Sequence, residues 1–414
     1  MTYTAQDYKD IIAAEKEFLE PYGGSLWNVS DEHAAKMLHG LSHRVSEPLY
    51  LHERDKRAVR KLGKILWKFI QASRELYHIN DDFRELLDWG KPEYMRVWDK
   101  VDAPCIRIDA GVTLNGLKGY EFGFNINGLA LSHLIKQAYI ACGKIANRDE
   151  LKDSLSSYLR FCTGGTVAFT EEGYRKQFEY LAKEVLSTED EIWDAQAVDS
   201  NFNPQQVVFR AFQDWEAEQN PYVQKLIEGK NKIFPSINQR LETKLYMATD
   251  REFEKFYLSK MGEADFDFLS NFFPLTYVVN WKRGLPEGAK EILDFADAKD
   301  QLAVLKVVSG LNGYGCKGVY FLNDCSRDNA VSLLNQAIQD QKNRWILQDF
   351  NRALQRNVPY LERDGSIAVM KARTLVRITY GSDGEVLDGT AISCPDTDKL
   401  HGMATATWAP IESS

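Results

Sequence analysis

Arg107 and Asp109 lie two residues apart in the stretch Pro104–Asp109, and Glu121 follows in Leu117–Phe124, beyond an Asn115-Gly116 pair. Both stretches alternate as strands do, and Asn-Gly is a strong hairpin signal. A two-residue loop at Asn115-Gly116 pairs Asp109 with Phe122 and turns Glu121 to the other face. A three-residue loop, Leu114-Asn115-Gly116 with Gly116 in the left-handed position, sets Asp109 directly opposite Glu121. Period-2 alternation then brings Arg107, Asp109, Glu121, Asn125 and Asn127 to one face. Facing carboxylates repel each other in a plain sheet. A divalent cation resolves that repulsion, since carboxylates together with substrate phosphates are the usual magnesium arrangement, and Arg107 is then placed for phosphate charge. A solvent-exposed charged face with no ligand is the alternative that the same residues allow.

A second signal lies in Leu302–Leu322, which contains Gly313-x-Gly315-x-x-Gly318. A dinucleotide-binding fold needs a helix after such glycines, with its N-terminus facing the pyrophosphate. Here Val319-Tyr320-Phe321-Leu322 follows, a strand pattern, so the unit reads as strand, glycine loop, strand. Such a hairpin covers a triphosphate with backbone N–H groups, and Lys306 on its first strand reaches phosphate oxygens. A protein kinase also uses a glycine hairpin, but its lysine follows the loop, and an H-R-D catalytic loop is missing here. A glycine-rich hairpin without a ligand stays open as the plain reading.

Together these residues resemble the synthetase domain of glutathionylspermidine synthases, a variant ATP-grasp amide ligase. Arg107-x-Asp109, with Gly116-Leu117-Lys118-Gly119-Tyr120-Glu121 behind it, is similar to that family's metal-binding strand pair. Lys306, Gly310 and Gly313 match its lysine with glycines at +4 and +7, and Trp345–Phe350 resembles its adenine-side strand, with Gln348 inside. Gly165–Phe169 with Glu171 resembles the core of its middle domain, and Lys244, nine residues after Pro235, its other nucleotide lysine. The chain departs from the pattern at Gly123, where the family has asparagine; a bulge there makes Asn125 the third ligand by face. Leu311 and Asn312 replace the loop arginine, Lys282 rivals Lys244, and Arg373 and Arg377 both present themselves to the γ-phosphate.

The resemblance implies an ATP- and magnesium-dependent, ADP-producing ligase that joins a small-molecule or peptide carboxylate to an amine through an acylphosphate. Asp109, Glu121 and Asn125 would hold Mg2+. Lys244 and Lys306 would bind nucleotide phosphates, with Gly310, Gly313 and Gly315 letting the loop close over them and Gln348 on the adenine side. Arg107, with Arg373 or Arg377, would stabilise the transferring phosphoryl group. A catalytically silent ATP-grasp nucleotide-binding module and a nicotinamide-dependent oxidoreductase are the competing readings, the latter requiring a helix after Gly318.

The elements that would position these groups are legible in outline. Asp7–Leu19 and Lys56–Leu76 carry apolar residues at helical spacing, the latter at Val59, Leu62, Ile65, Leu66, Phe69 and Ile70. Strands and helices then alternate: Pro104–Asp109, Leu117–Phe124, helix Leu129–Lys144, strand Thr166–Phe169 and helix Glu171–Leu186. Short strands follow Asp294, at Leu302–Val308, Val319–Leu322, Trp345–Phe350, Thr374–Tyr380 and Val386–Ile392. The expected class is α/β to α+β. It is divided into a helical N-terminal region (1–100), an α/β pre-ATP-grasp domain carrying the metal hairpin (101–232) and an ATP-grasp half (233–414).

The composition sets bounds. The 414 residues carry 51 Lys+Arg against 60 Asp+Glu, a net charge of −9, which argues against a nucleic-acid partner. That surplus is compatible with a cationic acceptor such as a polyamine. No apolar run approaches the roughly 20 residues that span a bilayer, the opening residues lack a signal-peptide pattern, and the six cysteines form no C-x-x-C pair. The expected setting is cytoplasmic, with no membrane partner and reduced thiols.

Overall fold

A computed structural model describes residues 3–24, 26, 45–89, 96, 105–123, 128–146, 166–169, 175–185, 192–194, 207–210, 232–234, 244–279, 281, 302–308, 318–362, 364–395, 397, 398, 400 and 406–412. In chain order these form α1 (Ala5–Leu19), β1 (Leu49–Tyr50), α2 (Glu53–Ile79), α3 (Asp81–Asp88), β2 (Cys105–Thr113), β3 (Gly116–Gly123) and α4 (Leu129–Ala141). Then come β4 (Thr166–Phe169), α5 (Arg175–Tyr180), β5 (Ile192–Asp194), β6 (Val207–Arg210), β7 (Lys232–Phe234), α6 (Tyr246–Glu252), α7 (Glu254–Met261) and α8 (Glu263–Phe272). The last third holds β8 (Thr276–Val278), β9 (Leu302–Val308), β10 (Val319–Phe321), α9 (Arg327–Gln339), β11 (Arg344–Phe350), β12 (Gln355–Leu361), β13 (Ile367–Gly381), β14 (Val386–Pro395) and β15 (Thr407–Glu412). The fold is α+β.

Among the described residues the strands form three sheets. The largest has seven strands in the order β1-β15-β14-β13-β2-β3, with β12 also on β13. Strand β13 is fifteen residues long, and its first half pairs with β12 while its second half pairs with β2. Thus β12 and β2 lie end to end along one edge of β13, with β14 on the other. A second, antiparallel sheet runs β10-β9-β11-β8, and a third, parallel one runs β5-β4-β6-β7. The β2–β3 hairpin, assigned from sequence to the middle region with β4, therefore belongs to the sheet that the C-terminal strands build. The pairing partner is decided by which distant strand completes the apolar face, and local alternation carries no record of that.

The large sheet is covered on both faces, in keeping with the near-continuous burial along β2, β14 and the second half of β13. Ile106, Ile108 and Ala110 of β2, with Val376, Ile378 and Tyr380 of β13, face the apolar stripe of α2 built from Val59, Leu62, Ile65, Leu66, Phe69 and Ile70. On the opposite face Leu375, Ile392, Cys394 and Trp408 pack with Tyr8 and Ile11 of α1 and Ile135 and Tyr139 of α4. The N-terminal helices α1 and α2 thus cover opposite faces of one sheet. Among the described residues no helix is long and apolar enough to cross a membrane.

Helix α2 lies close against β13 and the turn after it at Gly63. A Cβ there would lie 2.1 Å from the carbonyl oxygen of Gly384 and 2.5 Å from the Tyr380 ring, and Gly384 itself holds φ +82° in the β13–β14 turn. Neither backbone can yield without lifting the helix from the core. Gly63→Ala should destabilise the fold by about 3 kcal/mol, at the upper end for overpacking. A urea melt showing an unchanged midpoint would refute this contact.

Glu15 of α1 is buried against the α4 side of the core, and that burial pushes its carboxyl up to about 8. Between its ordinary value of 4.5 and about 8 the folded chain holds a proton that the unfolded chain has lost. The unfolded state then binds fewer protons, so this residue makes stability fall as pH rises, by about 1.4 kcal/mol per pH unit. Glu15→Gln should remove that slope and leave the variant more stable than the wild type at pH 8. Denaturation midpoints of both proteins from pH 5 to 9 provide the check.

Candidate active site

The β2–β3 hairpin closes differently from the loop expected. Thr113 pairs with Gly116, leaving Leu114-Asn115 as a two-residue turn. Thr113 Oγ1 donates to the Gly116 carbonyl (2.7 Å) and accepts from the Asn115 N–H (3.2 Å), and Gly116 holds φ +98°. This register alone would set Asp109 opposite Tyr120. A bulge shifts it: Ala110 pairs with Gly119, Tyr120 is the extra residue, and Asp109 pairs with Glu121. The facing carboxylates expected from sequence are therefore present, produced by a bulge rather than by loop length. Tyr120 stacks on Phe350 of β11, centroids 5.2 Å apart, and donates to the Asn351 carbonyl (2.9 Å), which ties the bulge to the second sheet.

Strand β13 completes a charged row. Arg377 lies directly opposite Asp109 on the side away from Glu121, and Thr379 lies opposite Arg107. Arg377 Nε donates to Asp109 Oδ1 (3.2 Å), its Nη2 donates to Oδ2 (3.3 Å), and Arg107 Nε stands 3.4 Å from Oδ1. Asp109 is 6% exposed. Glu121 Oε2 lies 3.3 Å from Lys244 Nζ, and this half-buried carboxyl is pulled down to about 2 by that lysine foremost, aided by Lys306 and Arg107, against partial desolvation. The repulsion that suggested a cation is thus met by arginine and lysine side chains on neighbouring elements.

Lys306, on β9, is buried, and desolvation foremost pushes its ammonium down to about 8, partly offset by Glu121. It donates to Gln348 Oε1 (2.6 Å) and to the Tyr120 carbonyl (3.3 Å). Gln348, fully buried on β11, donates in turn to Thr276 Oγ1 of β8 (2.9 Å). These bonds follow from the sheet register, because Lys306 pairs with Ile346 and Gln348 sits two residues along on the same face. Among the described residues four cations stand around Asp109 and Glu121, namely Arg107, Arg377, Lys244 and Lys306, positive charge suited to phosphate oxygens.

Of the two candidate arginines on β13, Arg377 joins this cluster. Arg373 instead donates to the Ala353 carbonyl (2.5 Å) and pairs with Asp398 (3.2 Å), which Arg352 also holds. Asn125, Gly310, Gly313, Gly315 and the rival Lys282 lie outside the described residues. The strands flanking the glycine segment are β9 and β10, antiparallel, with Val319 opposite Lys306. A strand follows Gly318, so the helix required by the nicotinamide reading is absent and that reading falls. Sequence reasoning did not bring together Asp388 and Ser132, whose side chains are hydrogen-bonded. Their only signal is tertiary, because they lie 256 residues apart.

Among the described residues no group of three or more His, Cys, Asp or Glu is placed to hold a metal. Asp109 and Glu121 bring two carboxylates together, and a magnesium ion taking them as ligands, with water and substrate phosphate for the rest, would have to displace Arg377, Arg107 and Lys244 from their oxygens.

No protein-family model matches the chain, and no curated protein matches it. Among solved structures it is similar to one from Methylobacillus flagellatus KT assigned as a gamma-glutamylcysteine synthetase, at 12% identity and a TM-score of 0.43, covering 80% of this chain and 83% of that one.

Proposed function

We propose that this chain is an ATP- and magnesium-dependent ligase that joins a small-molecule or peptide carboxylate to an amine through an acylphosphate, on a split ATP-grasp framework. The observation that supports it most is the convergence of Asp109, Glu121, Arg107, Arg377, Lys244 and Lys306 from separate elements onto one site. Phosphoryl transfer needs little covalent work from a protein; it needs positioned charge around the moving group. Lys244 and Lys306 bind nucleotide phosphates in this scheme. Arg107 and Arg377 face the transferring phosphoryl oxygens, and Asp109 holds Arg377 in place through its two-point contact. Asp109 and Glu121 would hold the magnesium ion, with Asn125 as the further ligand proposed from sequence. When bound, that ion neutralises charge on the phosphate oxygens.

The substrate carboxylate oxygen bonds to the γ-phosphorus as the phosphorus–oxygen bond to ADP breaks; the amine then attacks the acylphosphate carbonyl, the C–N bond forms as the C–O bond to phosphate breaks, and the amine's proton leaves to solvent. Magnesium-dependent ADP release from ATP, screened over pairs of carboxylic acids and amines with mass detection of the amide, tests the proposal. Nucleotide binding without ADP release in any pair would replace it with the silent-module reading.

A further inference from the structure

Tyr120 is the extra residue of the bulge, and no step of the ligase reading uses it. Its place is built from both sheets. The residue is 8% exposed; its ring stacks on Phe350, and its hydroxyl donates to the Asn351 carbonyl just past β11. Beside the ring, β2 carries a glycine: a Cβ at Gly111 would lie 1.9 Å from the Tyr120 hydroxyl oxygen and 2.5 Å from its Cζ. The residue before Tyr120 is held as closely against the other apolar cluster, where a Cβ at Gly119 would lie 2.5 Å from the Phe273 ring. Both strands thus omit a side chain where this ring and this bulge need the space.

The bulge leaves Tyr120 without a partner residue in the β2–β3 ladder, and its carbonyl accepts from Lys306 Nζ (3.3 Å). The next side chain is Glu121, which the same bulge sets opposite Asp109. One residue therefore does three things. Its ring and hydroxyl grip the end of β11, its carbonyl holds the lysine of β9, and its extra length in the strand turns Glu121 toward Asp109. Lys306 and Gln348 belong to the second sheet, whereas Arg107, Asp109, Glu121 and Arg377 belong to the large one. A reaction that uses both sets needs them at a fixed separation, and a misplacement of about 1 Å can cost a hundredfold in rate.

We infer that Tyr120 is a positioning residue: it fixes the lysine-bearing sheet against the carboxylate hairpin, so that nucleotide phosphates on Lys306 meet Asp109, Glu121 and the two arginines in line for transfer. This rests on the ligase reading for the step it serves. Tyr120→Leu should lower kcat for ADP release about a hundredfold and leave the KM for ATP within about threefold, because Lys306 keeps Gln348 and loses only its alignment with the hairpin. Tyr120→Phe keeps the stack and loses the bond to Asn351, so kcat should fall about fivefold. Gly111→Ala leaves Tyr120 in the chain, drives its ring off Phe350, and should repeat the kcat loss from a different strand. The three variants differ in severity, so a folding failure in one, visible by circular dichroism, leaves the others decisive. Wild-type kcat in the folded variants, or a raised KM with kcat unchanged, overturns the inference. Crystal structures of Tyr120→Leu and Tyr120→Phe read the placement without turnover. In Tyr120→Leu, Glu121 turned from Asp109, or Lys306 parted from the carbonyl at position 120, supports the inference; both contacts intact overturns it. A wild-type chain that releases no ADP with any acid and amine pair would sink the ligase reading, and the crystal structures would still decide whether Tyr120 sets these contacts.

Discussion

Asp109→Ala should lower magnesium-dependent ADP release at least ~10³-fold, the scale of removing a principal electrostatic element from a reaction centre. Two effects combine. The carboxylate proposed to hold magnesium disappears, and Arg377 loses the partner that receives both its Nε and Nη2 bonds. Stability should fall as well, by about 3 kcal/mol, because breaking a buried ion pair strands the remaining charge. That figure is at the low end for such a loss, since Arg107 and Arg377 are each about a fifth exposed and water can reach them. Asp109→Asn separates the effects. It keeps the shape and an acceptor oxygen, so it should recover much of the stability while turnover stays low. Full ligase turnover in a folded Asp109→Ala protein would remove Asp109 from the site.

Lys306→Met should weaken ATP binding by about 2–3 kcal/mol, a loss on the order of a hundredfold, the scale of a charge-assisted hydrogen bond. Methionine fills much of the same volume, so the core around β9 and β11 need not collapse. The ammonium's burial penalty vanishes, while Gln348 Oε1 loses its 2.6 Å donor and Glu121 loses part of its compensating field. These contributions oppose each other, and the denaturation midpoint should move little. Nucleotide titration beside a urea melt distinguishes this from a packing defect: a large stability loss with unchanged nucleotide affinity would make Lys306 a structural residue only.

Much of the fold is legible locally. The α2 stripe, the strands at β9, β11 and β14, and the strand at Thr166–Phe169 follow from periodicity, because burial on one face imposes a repeat on neighbouring residues. The hairpin itself was readable, and the opposition of Asp109 and Glu121 was one of two registers the turn allowed. The reason for that register was not readable. A bulge at Tyr120 depends on Phe350 and Asn351, which lie more than two hundred residues away and hold its ring and hydroxyl. The helical run α6–α8 was not assigned from sequence, being three short segments whose apolar residues give no single long stripe.

The sequence by itself determined the kinds of element, a carboxylate hairpin with Arg107 beside it, and a lysine on the strand before a glycine segment. The tertiary structure decided what those groups meet. It set Arg377 rather than Arg373 against Asp109, across 268 residues, and brought Lys244 to Glu121. It also closed Gln348 onto Lys306. Alternation specifies which face a residue takes along its own strand. Only the order of strands in the sheet specifies which charge stands across from it, and that order is chosen by the whole core at once.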